Sequence, residues 1–332
     1  MPRLLLLAGL CLGLFAAAPA GAGGLAEPEA LQARLERLAQ AHPGRVGICA
    51  QAPGGAPVCV NGEARFALQS VMKLVVGAAV MAAVDAGRLK LEDRITVQRE
   101  DMSVFVQPIE KIVAKEGAFA TTVGDLVRRA VAESDSAATD VLIARLGGPA
   151  AVQAWLAGKG LSGIRIDRDE RHLQTEGVGL AWRAEYTDPA RLDAAIKAVP
   201  KAERDAAFAA SLKDERDTAT PRGMTAFLAA LAEGRLLSPA STGHFLAVMR
   251  GTVTFPDRLR AGAPDGWSVA HKTGTSRSWN GITAVTNDVG VLTAPDGGTV
   301  AVAAFVAEST APAPERAAVI ANAARAVAEA YR

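Results

Sequence analysis

The sequence predicts an α/β fold of the α+β class, in which one antiparallel sheet is built from both ends of the chain and interrupted by a helical domain. Apolar residues alternate on both sides of Pro53–Gly55, which is typical of a hairpin, and the strand-like runs GWSVAHKTG, GITAVTNDVGVLTA and GTVAVAAFVAES occur near the C-terminus. The segments between them carry apolar residues at helical spacing. We therefore predict a discontinuous sheet domain, 25–65 and 251–332, and a helical domain, 66–250, with a cleft at their junction.

The individual helices have clear signals along the chain. The first is predicted from Pro28 to Ala41, just before the hairpin. In the middle of the chain, LVVGAAVMAAVDAG, TTVGDLVRRAVAE, SAATDVLIARLGG and PRGMTAFLAALAEG repeat apolar residues every three to four positions and several stop at glycine. A closing helix, PERAAVIANAARAVAEAYR, follows the last strand and completes the sheet domain.

Composition excludes several classes of partner. The chain has 332 residues, of which 50% are hydrophobic and 21% charged, as in a soluble globular protein of one large or two modest domains. Its formal net charge is +1, with acidic and basic residues interspersed, so no field favours nucleic acid or an anionic membrane. We expect a monomer that acts on a small molecule.

The N-terminus predicts export. An arginine, Arg3, precedes an apolar run from Leu4 to Ala18, and small residues end at Ala18–Ala20 and Ala20–Ala22. This is typical of a secretory signal peptide, predicted over 1–22, and an uncleaved N-terminal anchor is the alternative. We expect a periplasmic or secreted protein without a stable membrane anchor after cleavage.

Two cysteines remain after the signal peptide. Cys49 and Cys59 lie symmetrically about the predicted hairpin turn in VGICAQAPGGAPVCVNG. An oxidising compartment favours a cross-strand disulfide, and two buried free thiols are the alternative. Neither state indicates catalysis.

A serine and a lysine open the first long apolar helix. In LQSVMKL, the three-residue spacing of Ser70 and Lys73 places both side chains on one helix face, where the helix N-terminus favours developing negative charge. The pair alone is weak evidence, because a helix cap next to a solvated lysine gives the same pattern. Its interpretation therefore depends on partners elsewhere in the chain.

Three further polar clusters each have a structural alternative. The first is Ser134–Ser136 in AESDSAA, for which a turn that caps a helix is the alternative. The second is the stretch RIDRDERHLQ with Arg168, Glu170 and Gln174, for which a solvated loop is the alternative. The third is Lys272–Gly274 in AHKTGTS, for which a solvated sheet edge is the alternative.

Taken in order, these clusters resemble the class A β-lactamases among the penicillin-recognising serine enzymes. The resemblance runs from the hairpin to the C-terminal helix and includes LGGP, RDTATP, the GW before AHKTGTS, and NDVGVLTAPDG, with the extended-spectrum, Bacteroidetes-type branch most similar. It implies a β-lactamase/transpeptidase-like fold, with a five-stranded antiparallel sheet flanked by helices and an all-helical domain. It also implies hydrolysis of the β-lactam amide without metal or organic cofactor.

The resemblance assigns the catalytic steps to particular residues. Ser70 would attack the β-lactam carbonyl, with Lys73 or Glu170 as the base. Ser134 would pass a proton to the ring nitrogen, and Glu170 would activate the water that releases the acyl-enzyme. The backbone N–H groups of Ser70 and Thr275 would form the oxyanion hole.

Other residues are implied to hold the substrate. Lys272, Thr273 and Thr275 would bind its carboxylate, which explains a lysine in a run that otherwise predicts a buried strand. Arg258, in DRLRAGAPDGW, stands where some relatives have an arginine that reinforces this anchor. A surface arginine is the alternative for Arg258.

The chain also departs from the family pattern. Ser136 and Gln174, both expected near the substrate, each replace an asparagine, and the extra methylene of Gln174 is expected to shift the catalytic water. Arg168 and Asp217 are expected to form the ion pair at the neck of the loop. An insertion at about 175–213 enlarges that loop, with helix-like segments ARLDAAIKAV and KAERDAAFAASL.

Two other functions and a metalloenzyme are the alternatives. A metalloenzyme is disfavoured, because the chain's four histidines lack metal-ligand spacing: His42, His172, His244 and His271. We expect His172 and His271 to be packed or hydrogen-bonded. A D-alanyl-D-alanine peptidase would make Glu170 incidental, and a non-hydrolytic penicillin-binding sensor would show no turnover.

Overall fold

The computed structural model describes residues 23–332, and the predicted signal peptide lies outside this range. Two kinds of regular element make up the described chain. The helices are α1 Pro28–Ala41, α2 Met72–Asp85, α3 Ile109–Glu116, α4 Val123–Ala132, α5 Ser136–Leu146, α6 Pro149–Gly158, α7 Glu170–Glu176, α8 Pro189–Ala198, α9 Lys201–Ser211, α10 Pro221–Ala232, α11 Pro239–Arg250, α12 Leu259–Gly262 and α13 Ala313–Ala330. The strands are β1 Arg45–Gln51, β2 Val58–Val60, β3 Phe66–Ala67, β4 Arg94–Val97, β5 Phe119–Thr122, β6 Thr218–Ala219, β7 Ser268–Thr275, β8 Ser278–Trp279, β9 Ile282–Thr293 and β10 Thr299–Ser309.

The main sheet joins the two ends of the described chain. Its strand order is β2-β1-β10-β9-β7, every neighbouring pair is antiparallel, and β8 adds a short pairing with β9. This arrangement confirms the predicted fold class, whereas the exact domain bounds stay a prediction. Cys49 and Cys59 face each other across β1 and β2 and form a disulfide.

The sheet is buried on both faces, which explains why its central strands are apolar at successive positions. On β10, Val302 contributes to a core with helices α1 and α13, whereas Phe305 faces the opposite way into the larger core of the helical part. Phe305 stacks on Phe66 with ring centroids 5.4 Å apart. Helix α10 packs on this second face, so the sheet and the helical part share one continuous core.

Helix α2 lies at the centre of the helical part. It is apolar around nearly its whole circumference, because α4, α5 and α11 pack against it. Gly77 permits one of these contacts, since a Cβ there would lie 2.8 Å from the ring of Phe245. The buried helix gives a rigid base to the residues at its N-terminus, where Ser70 and Lys73 lie.

The predicted helical domain also contains two short antiparallel ribbons. Strands β4 and β5 form one, and the two-residue strands β3 and β6 form the other. The insertion folds into α8 and α9 and has a small apolar cluster of its own. That cluster joins the insertion to the loop before α3 and consists of Val104, Tyr186, Leu192 and Ile196.

No single helix within residues 23–332 is both long and apolar enough to cross a membrane. Helices α5 and α6 meet that test only as a pair, with a bend of 69° between them.

We predict that Phe305→Ala lowers the free energy of unfolding of the mature protein by about 3–5 kcal/mol, because it leaves a cavity under the Phe66 ring. Urea unfolding measures the change. The control is Val253→Ala, a residue 70% exposed, which should change stability by less than about 0.5 kcal/mol. Equal losses in the two variants would contradict this description of the core.

Candidate active site

Ser70 lies at the entrance to the central helix. It occupies a short 3-10 turn, Gln69–Val71, that leads directly into α2. Gln69, with φ of +47°, is in the left-handed region, which costs a non-glycine residue energy and is common at functional sites. The turn places Lys73 one helical turn beyond Ser70.

Contacts from the sheet hold this strained turn in place. The side-chain amide of Asn287 on β9 donates to the carbonyl of Ala67 at 2.8 Å. Leu68 donates its backbone N–H to the carbonyl of Asp217 at 2.8 Å. Gly274 on β7 packs so closely that a Cβ there would lie 2.6 Å from the Leu68 carbonyl oxygen. The glycine of Lys-Thr-Gly is therefore required by the close approach of strand and turn.

Lys73 is buried and connects three groups. Its Nζ donates to the carbonyl of Ser134 at 2.6 Å and to Ser136 Oγ at 3.0 Å. It lies 3.7 Å from Oε1 of Glu170. The structure therefore excludes the solvated lysine that the sequence left open.

Ser134 lies between two buried lysines. Its backbone has φ of +62°, and this conformation presents its carbonyl to Lys73 while its Oγ accepts from Lys272 Nζ at 3.0 Å. The next residue, Asp135, caps α5 by accepting the N–H of Ala138 at 2.8 Å. The capping turn that the sequence offered as an alternative is thus present, and it also positions Ser134.

Lys272 lies on the edge strand β7 and is fully buried. Its Nζ also donates to the carbonyl of Thr273 at 3.0 Å. Burial, reinforced by the positive charge of Lys73, lowers the pKa of Lys272 to about 7. Among residues 23–332, no carboxylate oxygen lies within 4.0 Å of this Nζ, so an anion entering the cleft would be its first close counter-charge.

Arg258 reinforces the same strand. It is 3% exposed, which excludes a surface position, and its Nη2 donates to Thr275 Oγ1 at 2.7 Å. Its Nη1 donates to the carbonyl of Asn287 at 2.8 Å, and the guanidinium stacks on Phe255. Burial lowers the pKa of Arg258 from its usual value. The Arg258 guanidinium thus adds a second positive charge beside β7, next to the Thr275 hydroxyl and on the same strand as Lys272.

Glu170 is the first residue of α7 and is 1% exposed. Its Oε2 accepts from Ser136 Oγ and from Gln174 Nε2, both at 3.3 Å. Gln174 Nε2 also donates to the side chain of Gln69 at 3.0 Å, next to Ser70. Glu170 Oε1 is buried and has no hydrogen-bond partner within the described chain. It is therefore available to accept a hydrogen bond from water.

Asp140 anchors Glu170, and the sequence analysis missed it. This buried residue on α5 accepts the backbone N–H of Glu170 at 2.7 Å and that of Arg171 at 3.2 Å, and it also accepts from Arg171 Nε at 3.1 Å. Burial, with the nearby Asp169 charge, raises the pKa of Asp140 to about 6. A carboxylate four residues after Ser136 on a predominantly apolar helix was the available signal, because both lie on one face.

The expected ion pair closes the neck of the loop. Arg168 Nε lies 2.6 Å from Asp217 Oδ2, and Asp217 Oδ1 accepts the backbone N–H groups of Asp167 at 2.7 Å and Arg168 at 3.0 Å. Burial raises the pKa of Asp217. Thus the ion pair and these two hydrogen bonds join the start and the end of the loop that contains the insertion.

The residues selected from the sequence fall into two adjoining groups. One group is linked by direct contacts around Lys73 and Glu170, and the other follows β7. The first comprises Ser134, Ser136 and Gln174, with Ser70 one turn from Lys73; the second comprises Lys272, Thr273, Thr275 and Arg258. Two of the four histidines considered earlier are hydrogen-bonded as expected: His271, on β7, pairs with Asp288 at 2.9 Å and His172 with Asp169 at 2.5 Å.

Comparison with known proteins gives a consistent result. A family model described as "Beta-lactamase enzyme family" matches residues 30–331. The curated relative β-lactamase VEB-1 of Pseudomonas aeruginosa is 29% identical over 287 residues, which cover 86% of this chain and 84% of that protein. Extended-spectrum β-lactamase PER-1 of Pseudomonas aeruginosa is 28% identical over 286 residues, covering 86% and 82%.

Solved structures of similar fold agree. A β-lactamase from Chitinophaga pinensis superposes with a TM-score of 0.74 and 27% identity, covering 91% of this chain and 99% of that one. The class A β-lactamase of the last common ancestor of Gram-negative bacteria, GNCA4, gives a TM-score of 0.72 and 34% identity with the same coverages.

We predict that Asp140→Ala loosens the segment that carries Glu170. The change removes the acceptor of two backbone N–H groups, each worth about 1–3 kcal/mol when left unsatisfied in the interior. Hydrogen exchange of peptides covering 169–176 should accelerate relative to α13. The control is Asp85→Ala, which removes a carboxylate that accepts from Ser238 N at 2.7 Å at the far end of α2 and should leave 169–176 protected. Unchanged exchange in Asp140→Ala would contradict the anchoring role.

Proposed function

The chain belongs to the β-lactamase enzyme family and is a class A serine β-lactam hydrolase; from this premise we propose that it forms an acyl-enzyme on Ser70, which water activated by Glu170 hydrolyses. The observation that carries these residue roles is the buried contact of Lys73 with both Ser134 and Glu170, one turn from Ser70. A general base, a proton carrier and a nucleophile in one cluster are the components that acyl transfer requires.

Acylation begins with removal of the Ser70 hydroxyl proton. Lys73 and Glu170, 3.7 Å apart, form one proton-accepting pair, and either member can receive this proton, directly or through water. The Ser70 oxygen then attacks the β-lactam carbonyl carbon and an oxyanion forms. The backbone N–H groups of Ser70 and Thr275 stabilise the oxyanion, at about 3–4 kcal/mol per donor.

Ring opening needs a proton on the departing nitrogen. Ser134 Oγ is suited to deliver it, because the Ser134 carbonyl is bound by Lys73 and its hydroxyl oxygen by Lys272. As the C–N bond breaks, the hydroxyl proton moves to nitrogen and is replaced from the lysine side. The nitrogen leaves as an amine that remains tethered to the substrate.

Deacylation depends on Glu170. Its Oε2 is fixed by Ser136 and Gln174, and its Oε1, 3.7 Å from Lys73 Nζ, has no hydrogen-bond partner within residues 23–332. We assign Oε1 to accept a proton from water as that water attacks the acyl carbon. The C–O bond to Ser70 then breaks, and the proton returns to the serine oxygen.

The substrate carboxylate binds along β7. The Lys272 ammonium and the hydroxyls of Thr273 and Thr275 line this edge, and Arg258 donates to Thr275 Oγ1. Two cations placed by buried contacts suit an anionic β-lactam better than a neutral amide.

We also propose that the mature enzyme works as a monomer in the periplasm or outside the cell. The predicted signal peptide over 1–22 supports export, and the Cys49–Cys59 disulfide fits an oxidising compartment. We expect the mature chain to start near Gly21 or Gly23.

We predict that Glu170→Ala still forms the acyl-enzyme but releases it about 10²–10⁴ times more slowly, because the general base is absent. Intact-mass spectrometry after mixing with a chromogenic cephalosporin should show a persistent adduct on Ser70. The control is Glu63→Ala, whose side chain is 75% exposed and should turn over normally. Rapid turnover by Glu170→Ala would refute the assignment.

We predict that kcat/KM for a penicillin falls as pH rises through about 7, the pKa of Lys272. Below this pH the ammonium is charged and binds the substrate carboxylate, whereas above it the charge is lost. Lys272→Arg, which stays protonated, should remove this fall from the pH profile. An identical decline in wild type and variant would show that another group titrates.

A further inference from the structure

The insertion builds a cavity beside the active site. Helix α9 lies against the turn between β7 and β9, and the space between them encloses about 430 Å³. Gln69, Gln174 and Ser276 line this cavity, and each lies next to, or bonds to, a residue of the proposed catalytic machinery. The cavity is therefore on the side of the cleft where the loop carrying Glu170 faces the end of β7.

A specific clamp holds α9 in this position. Asp205 on α9 accepts from Trp279 Nε1 at 2.7 Å and from Asn280 Nδ2 at 2.9 Å. Lys201 Nζ donates to the same carboxylate at 2.7 Å. These bonds lower the pKa of Asp205 to about 2, so the clamp is charged at neutral pH. The cavity wall is thus tied to the strand next to the active site.

The charge inside the cavity is unbalanced. Five basic and two acidic side chains line it, and the two acids, Glu176 and Asp214, are already bound by Arg168 and Arg216. Within residues 23–332, the guanidinium nitrogens of Arg204 and Arg277 have no carboxylate within 4.0 Å and donate no hydrogen bond. Both arginines retain their donors for a ligand.

Aromatic rings fix the two free arginines. The Arg204 guanidinium stacks on Trp279 and that of Arg277 on Phe105, each with its carbon 3.9 Å from the ring centroid. Partial desolvation and the Arg204 charge lower the pKa of Arg277, an effect that Asp193 opposes. Two like charges held close together by packing favour an anion between them.

We propose that this cavity binds β-lactams whose acylamino side chain carries a carboxylate, with Arg204 and Arg277 as its specificity-determining residues. Leu173, Val178 and Phe208 give the cavity an apolar wall for the ring of such a side chain. The proposal rests on the acyl-enzyme function assigned above. It adds a second anion site, separate from the carboxylate site on β7.

The test uses two cephalosporins that share a vinyl group at C3. One, cefixime, carries a carboxymethyl group on its oxime oxygen, and the other, cefdinir, has the free oxime. Both carry the ring carboxylate, so the measured quantity is the ratio of kcat/KM for cefixime, with its second carboxylate, to that for cefdinir. A misfolded fraction lowers both values equally, so the ratio isolates recognition of the carboxylate.

We expect the ratio to fall about tenfold or more in Arg204→Met/Arg277→Met, because two charge-assisted contacts are lost. Arg204→Lys should keep most of the wild-type ratio, because it keeps the positive charge. Arg204→Glu should lower the ratio below that of the double variant, because it repels the carboxylate. The matched control is Arg191→Met on α8, a side chain 66% exposed and outside the cavity, which should leave the ratio unchanged.

The outcomes separate this proposal from the proposed function. A ratio that is unchanged in the double variant, with both substrates still acylating Ser70, overturns the cavity assignment alone. Absence of an acyl adduct on Ser70 in Glu170→Ala with either substrate overturns the function on which the proposal rests. A fall in the ratio confined to the cavity variants supports it.

Discussion

The burial of two lysines beside one carboxylate is the constraint on which the active site depends. Removing an ammonium group from water is costly unless polar partners replace the lost hydration. Ser134 supplies a partner to each lysine, its carbonyl to Lys73 and its hydroxyl oxygen to Lys272. It does so only in a left-handed backbone conformation, which Asp135 helps to hold through its cap on α5. The left-handed backbone of Ser134 thus helps to place the two lysine charges that the proposed chemistry uses.

The same cluster explains how the chain tolerates a long insertion. Asp140 accepts the backbone N–H of Glu170. The ion pair between Arg168 and Asp217 closes the neck of the loop that carries Glu170. Because the inserted segment starts at the end of α7 and returns just before Asp217, both of its ends lie next to a joint that is already fixed. The added residues therefore change the walls of the cleft without displacing Glu170. We therefore expect the insertion to alter the surface around the proposed catalytic residues rather than their positions.

Sequence reasoning identified what depends on local pattern and missed what depends on distant contacts. Helix periodicity predicted α1 and α2, and alternation predicted the hairpin that carries Cys49 and Cys59. The ribbon of β3 and β6 was not predictable, because two-residue strands have no periodicity and their pairing joins positions about 150 residues apart. Asp140 was missed for a similar reason: its partners are backbone N–H groups of another loop. Arg204 lies in the helix-like segment KAERDAAFAASL and Arg277 lies between β7 and β8, and their contacts with the Trp279 and Phe105 rings join positions far apart in the sequence.

Ser136 and Gln174, which each stand where the family pattern has an asparagine, both donate to Oε2 of Glu170. We infer from this geometry that the two replacements compensate for each other. Ser136 is shorter than asparagine, yet its hydroxyl reaches both Lys73 Nζ and Glu170 Oε2. Gln174 is longer, and its amide spans from Gln69 to that same Oε2. Together they occupy one oxygen of Glu170 from two sides and leave Oε1 without a hydrogen-bond partner in the described chain. The sequence had indicated that the extra methylene would shift the catalytic water. Gln174 binds the Glu170 oxygen opposite the one that we assign to the water, and the expected shift of that water stays a prediction.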